Sequence, residues 1–353
     1  MKNHSGTRIS RHDRGGLNSL PAPSARRRRV VLGGLASAAS LPATPVFGQG
    51  RAGFPDGPLH IIVSAAAGGN LDVTMRALAT RMADTLGANI VVENRAGGNS
   101  LPATRLVKDK PADGLTLLAM SNTFVISANF IANPGYDPLK DFAGIGLMNR
   151  LPMLLVTSAQ KPIKSLSALV ELARSKPGGV SFASSGVGTA THLPAAMLEQ
   201  QAGIRMLHVP YKGNAPAIAD VLGGRVDIIF DPISTAGPLV RDGRYTALGI
   251  TTPGRSPLFP RVPTIAELGF PGFDFTVYTG LVAPAGTPRP VVARWHDALR
   301  RATSSADLRE TFGQLGTELY TDATPEQFDA FLRNEVARYA KLVKDANIKP
   351  EML

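Results

Sequence analysis

Ile61-Ile62-Val63-Ser64-Ala65-Ala66-Ala67-Gly68-Gly69-Asn70-Leu71-Asp72 is the stretch whose reading decides the fold. Ile61 to Val63 are β-branched and apolar, as a buried strand requires. Ala65 to Ala67 make a corner of small residues. Gly68 and Gly69 admit positive φ and allow close backbone approach. Asn70 or Asp72 is placed to cap a helix with Leu71, Met75, Leu78 and Met82 on one face. A strand, a glycine turn and a helix start form an anion site, because free N–H groups and the positive helix end converge on the turn. The same turn can equally serve only to close a βα unit, so the motif takes its meaning from the rest of the chain.

Working outward, Asn89 to Glu93 reads as a second strand, Asn94 to Asn99 as a glycine turn, and Leu101 to Lys110 as a helix with Pro102 in its first turn. Leu115 to Met120 is a third strand, ending in Ser121-Asn122-Thr123. Three βα units predict a parallel sheet with helices on both faces. Ligands of such sheets bind beyond the carboxyl ends of the strands, where Ser64 and Ser121 should be neighbours.

Ile145 to Thr157 is a long apolar segment, after which βα units resume. Ser165 caps a helix to Ser175, Val180 to Ala183 is a strand, and Ser184-Ser185-Gly186-Val187-Gly188-Thr189-Ala190-Thr191-His192 is a turn opening another helix. Met206 to Val209, Val226 to Phe230 and Tyr245 to Ile250 are strands, with a helix at Ala215 to Leu222. Pro253 to Pro263 is a proline-rich loop, and Phe275 to Val282 is a second long extended segment. Thr287-Pro288 opens a helix, and Thr324 with Gln327 forms a capping box for the last one. The two long segments bracket the middle of the chain. They predict a first domain from 52–150 with 280–353, a second from 151–279, and a hinged cleft between them.

The formal charge of +11 invites a nucleic-acid reading, which fails once the charge is placed. Residues 1–48 carry eight basic residues against Asp13 alone, whereas the remainder holds 30 basic and 26 acidic residues. That remainder has no basic run interleaved with aromatic residues, so no nucleic acid is expected as a partner. Residues 1–48 read instead as an export signal. Arg28-Arg29-Val30-Val31-Leu32 resembles the twin-arginine pattern, Val30 to Leu41 is too short to span a bilayer, and cleavage is expected near residue 48. The predicted location is the periplasm. With no cysteine, the chain has neither disulfides nor thiolate chemistry.

Eight segments together resemble the Bug family, the periplasmic solute-binding receptors of tripartite tricarboxylate transporters. They are Val63 to Asp72, Val92-Glu93-Asn94-Arg95, Asp113 to Leu118, Tyr136 to Phe142, His208 to Gly213, Leu222 to Asp227, Arg261-Val262-Pro263-Thr264 and Ala283 to Pro288. They run in family order, and the resemblance extends over about 54 to 351. The resemblance implies an α/β, type II periplasmic-binding-protein fold, in which two α/β domains joined by two extended hinge strands flank a cleft. It implies a monomeric receptor for a small organic carboxylate, with membrane permease subunits as partners and no cofactor. Ser64 departs from the family's usual proline, and the turn after Asn94-Arg95 lacks a proline and is shorter.

The site then has two walls, which the family sets facing each other. Ala66, Ala67, Gly68, Gly69 and Asp72 with Ser121, Asn122 and Thr123 form one. Ser184, Ser185, Gly188, Thr189 and His192 with Asp231 form the other. Backbone N–H and hydroxyl donors are abundant there, and neither turn contains Lys or Arg. Neutral donors hold a carboxylate without burying a counter-charge. Asp72 would repel an anion, so it is expected to brace the loop, pairing with Arg76 one helical turn on. His192 is a ligand contact or a satisfied structural histidine. Asp231 is a site residue or a helix cap. No metal is expected, since histidines and carboxylates do not cluster in the sequence. An enzyme would need Ser184 or Ser185, His192 and Asp231 arranged as a triad, which only geometry can decide; no G-x-S-x-G elbow is present. A receptor serving a membrane sensor rather than a permease fits the same residues.

Overall fold

A computed structural model describes residues 54–320 and 323–345, so the export signal read at 1–48 lies outside the described residues. Strands β1 (Leu59–Val63), β2 (Ile90–Asn94) and β3 (Thr116–Ser121) run parallel, with β1 central. Helices α1 (Asn70–Leu86) and α2 (Leu101–Lys108) connect them. Side chains alternate across the strands and feed two separate cores. Leu59, Ile61, Val63, Leu117 and Ala119 face the core under α1, whereas Ile62, Leu118 and Met120 face the other. Met75, Leu78 and Met82 of α1 are fully buried in the first. Each such side chain stabilises the fold by about 1.5–3 kcal/mol relative to exposure.

Neither Asn70 nor Asp72 caps α1. The N-cap is Gly69, in extended conformation with φ −76°, so the positive φ sits at Gly68 (77°) alone. The chain next forms α3 (Thr123–Phe130), a helix that the sequence pattern does not announce. Phe124, Val125, Ile126, Ser127 and Phe130 are all buried, which leaves no polar face to mark a helical period.

Strand β4 (Phe142–Ser158) is the spine. Then come α4 (Leu166–Ser175), β5 (Ser181–Ser184), α5 (Leu193–Ala202), β6 (Leu207–Pro210), α6 (Asn214–Leu222), β7 (Ile228–Pro232), α7 (Ile233–Arg241) and β8 (Tyr245–Ile250). Ser165 caps α4 as predicted, accepting the Ala168 N–H at 3.1 Å. The return strand β9 (Thr276–Pro284) lies antiparallel between β3 and β4. The sheet is therefore mixed, not purely parallel. Its order is β2-β1-β3-β9-β4-β7-β5-β6.

The two long segments are hydrogen-bonded neighbours, from Phe142 opposite Pro284 to Pro152 opposite Thr276. From Met153 onward β4 exchanges β9 for β7 and β8. One strand thus belongs to both halves of the sheet.

Helices α8 (Arg289–Thr303) and α9 (Ala306–Gln314), the short strand β10 (Glu318–Leu319) and helix α10 (Pro325–Asp345) complete the fold. The cap of α8 is Pro288, and the Thr287 hydroxyl instead donates to the Pro284 carbonyl. The capping box of α10 forms reciprocally between Thr324 and Gln327. No helix among the described residues is long and apolar enough to cross a membrane.

Candidate ligand-binding site

The first wall is a braced loop at the carboxyl end of β1. Ala66, Ala67 and Gly68 are exposed, while Asp72 is only 3% exposed. One Asp72 carboxylate oxygen accepts the Gly68 N–H at 2.8 Å. The other accepts Arg76 Nε and Asn94 Nδ2, both at 2.9 Å. Asn94 also donates to the Ala65 carbonyl at 3.1 Å, and Arg76 donates to the Asn94 Oδ1. Burial alone would raise the Asp72 pKa, but these donors outweigh it and hold the group below the usual carboxylate range. The bracing uses up donors. Gly68 serves Asp72, and Gly69 serves the Ala66 carbonyl at 3.3 Å. The amides of Ala66 and Ala67 take no acceptor among the described residues.

Beside this loop, the Ser64 amide and hydroxyl both donate to the Ala119 carbonyl of β3, so the β1 and β3 corners adjoin. Ser121 and Thr123 are half-buried at the start of α3. Asn122 between them points elsewhere: it is fully buried, and its Nδ2 reaches the Tyr339 hydroxyl of α10 at 3.4 Å.

The second wall follows β5. The Ser184 hydroxyl bonds His208 Nε2 at 2.6 Å and accepts the Gly186 N–H at 3.1 Å. Thr191, which the sequence does not single out, organises the turn. Its hydroxyl accepts the Ser185 N–H at 2.8 Å and meets the hydroxyls of Ser185 and Thr189. Thr189 donates to the Gly186 carbonyl at 2.7 Å, and Gly188 donates to His192 Nδ1 at 3.1 Å. That last bond fixes His192 as the Nε2–H tautomer. The amides of Val187, Thr189 and Ala190 take no acceptor among the described residues.

Three rings stack under this turn. His192 and His208 are 4.3 Å apart and Phe182 lies 4.6 Å from His208. Burial, with a smaller contribution from the neighbouring imidazole, pushes His192 down to about 3; burial pushes His208 down to about 4. Both rings are neutral at pH 7.

Asp231 lies on β7 and caps nothing; the N-cap of α7 is Pro232. One Asp231 oxygen accepts Asn214 Nδ2 at 2.7 Å and the Thr235 hydroxyl at 2.6 Å, and the other has no partner among the described residues. Complete burial raises its pKa to about 6 against these two donors. No triad assembles. Ser185 bonds Thr191, His192 receives Gly188, and Asp231 bonds Asn214 and Thr235. Ser184 does bond a histidine, but it is fully buried, and His208 shows no carboxylate on its other nitrogen among the described residues. Among the described residues no group of three or more His, Asp or Glu is arranged to hold a metal ion.

The arrangement is two turns of backbone and hydroxyl donors at strand ends, without a cation in either. A family model described as "Tripartite tricarboxylate transporter family receptor" matches residues 74–348. The chain belongs to this receptor family. A relative from Pseudomonas sp. strain P51, a UPF0065 protein in the tcbD-tcbE intergenic region, is 37% identical over 90% of this chain and 94% of its own. The solved structure of the periplasmic binding protein BugD superposes with a TM-score of 0.79 at 34% identity, covering 84% of this chain and all of BugD. MatC from Rhodopseudomonas palustris with bound malate gives 0.76 at 31% identity, over 82% of this chain and all of MatC. The family and these neighbours are solute-binding proteins, and their fold is the one the receptor adopts.

Proposed function

We propose that this receptor captures a small carboxylate in the periplasm and delivers it to the permease subunits of a tripartite tricarboxylate-type transporter. It binds without catalysis and acts as a monomer. Residues 1–48 are its cleaved, twin-arginine-type export signal. Domain I (52–150 with 280–353) and domain II (151–279) close on the ligand, with β4 and β9 as the hinge. The observation that carries the reading is the pair of donor turns without cations, in a member of this family. Ala66, Ala67, Ser121 and Thr123 on one side, and the Val187, Thr189 and Ala190 amides on the other, offer the donors. Gly68, Gly69, Asp72, Asn122, Ser184, Ser185, Gly188, Thr189, His192 and Asp231 shape and brace them. The malate bound to MatC supports the ligand class.

A thermal-shift screen of mono-, di- and tricarboxylates tests it. A true ligand at about 100 times its Kd adds roughly 2.7 kcal/mol. At about 2–4 °C per kcal/mol, the midpoint rises by roughly 5–11 °C. If no carboxylate in the panel moves the midpoint while neutral or cationic solutes do, the reading is wrong.

A further inference from the structure

The two walls touch at one seam, and its chemistry is specific. Asn99 Nδ2 donates to the Val187 carbonyl at 2.8 Å, between residues 88 positions apart in the chain. Asn99 (φ 53°) and Ser100 (φ 68°) are the only non-glycine residues with positive φ among the described residues. Asparagine tolerates that conformation better than most residues, and two such residues in a row persist only where their surroundings over-determine them. Here they are over-determined from the first wall. Ser127 of α3 donates to the Asn99 carbonyl at 2.9 Å, and the Ser100 hydroxyl donates to the Ser64 carbonyl at 3.2 Å. Thr104 holds the Ser100 carbonyl at 2.8 Å.

The second wall is shaped to receive this residue. Gly186 (φ 136°) and Gly188 (φ 67°) flank Val187. A Cβ at Gly186 would stand 3.3 Å from Asn99 Oδ1, and one at Gly188 would stand 3.0 Å from Phe130 Cβ. Phe130 also meets the His192 ring edge-on at 6.2 Å. The contact is thus close-packed, links the second donor turn to residues bonded beside the first, and has one directional bond across it.

We propose that Asn99 is the clasp of the receptor: its amide, held ready on the first wall, bonds the Val187 carbonyl of the second and sets how long the closed cleft retains its ligand. Asn99 is a positioning residue that needs no contact with the ligand. The proposal rests on the closing-receptor reading above. It adds a determinant of residence time lying in the turn between β2 and α2.

Asn99→Gly removes the amide yet keeps the left-handed conformation free of strain. Asn99→Asp keeps the shape but turns a carboxylate oxygen towards the Val187 carbonyl. Because the chain has no native cysteine, Asp84→Cys on α1 and Glu171→Cys on α4, both exposed, accept spin labels cleanly. The distance between these labels should lengthen in ligand-free Asn99→Gly, and more so in Asn99→Asp. With a carboxylate identified by the screen, stopped-flow release should quicken about five- to tenfold in Asn99→Gly, with little change in the association rate. Identical label distances in all three proteins would overturn the clasp. So would a lowered melting midpoint with unchanged distances, which marks a merely structural residue. If the wild type binds no carboxylate, the functional reading falls, and the label distances still decide the clasp.

Discussion

Replacing Asp72 by asparagine separates bracing from ligand contact. In the folded protein the Asp72 carboxylate takes three donors, Gly68 N–H, Arg76 Nε and Asn94 Nδ2, at 2.8–2.9 Å. An asparagine has one acceptor oxygen and a donor group in place of the other. Whichever way it turns, donor meets donor on one side. At least one hydrogen bond to a charged group is lost, about 1.5–3 kcal/mol. At about 2–4 °C per kcal/mol, the melting midpoint at pH 7 should fall by roughly 3–12 °C. The pH dependence carries its own sign. Asp72 titrates below its unfolded value of 3.8, so its contribution is present above that pH and is lost as pH falls through the folded value. The gap between wild type and Asp72→Asn should therefore be full at pH 7 and shrink below about pH 4. Calorimetric melts at both pH values, with titration of a carboxylate ligand, measure both effects. Affinity should fall less than tenfold. A variant that melts like wild type at pH 7 but binds a hundredfold more weakly would show that Asp72 meets the ligand itself.

Gly188→Ala should cost about 1–2 kcal/mol for its left-handed backbone, plus the crowding against Phe130, in urea unfolding. Gly203→Ala is the control, with φ 60° and open space, and an equal loss in both would dismiss the Phe130 contact. The buried imidazoles stay neutral in the fold while the unfolded chain protonates near 6.5, so stability should drop as pH falls from about 6.5 to 4. Each contributes up to about 1.4 kcal/mol per pH unit, His208 less through its partial exposure, while Asp231, raised to about 6, works in the opposite sense. His192→Gln should flatten that slope, and an unchanged slope would contradict the burial argument. Arg76→Met and Lys212→Met should each leave carboxylate affinity within about tenfold, or roughly 1.4 kcal/mol, by calorimetry; a hundredfold loss would reveal a direct counter-ion. Arg28→Lys with Arg29→Lys should leave the precursor in the cytoplasm, and normal maturation by fractionation would refute the twin-arginine route.

What could be read from the sequence was whatever rests on local chemistry. The βα units, the Ser165 cap, the Thr324–Gln327 box and the two crossing segments all follow from periodicity and capping within a few residues. Helix α3 was hidden because Phe124 to Ser127 is buried on every side and carries no period. Strand β10 has two residues and exists only because β4 offers it an edge. In the site, the residue types and the Asp72–Arg76 pairing were legible, and most other partners were not. Asp72 bracing its loop beside Arg76 was legible, but no sequence pattern says that Asn122 turns to Tyr339 or that Thr191 ties Ser185 to Thr189. Gly69 looked like the partner of Gly68 in positive φ, yet its role as N-cap needs only extended backbone. The partner of Asn122 comes from a helix 217 residues away in sequence, whereas the Thr191 bonds are local but depend on the exact course of the turn.

The pairing of Pro152 with Thr276 has a practical corollary for altering this receptor's taste in ligands. The excursion from 153 to 275 begins and ends on adjacent strands, about 4.8 Å apart. A relative's excursion can therefore be grafted as a cassette with only two splice points, one within β4 and one at the start of β9. The graft would carry the Ser184–His192 turn and Asp231 with it while the Asp72 loop stayed behind. What must match is the set of crossing contacts: a carbonyl offered to Asn99, a glycine opposite Phe130, the Asp274 carbonyl that Arg338 reaches, Ile233 and Leu258 against Gly316, and Phe275 against Tyr339.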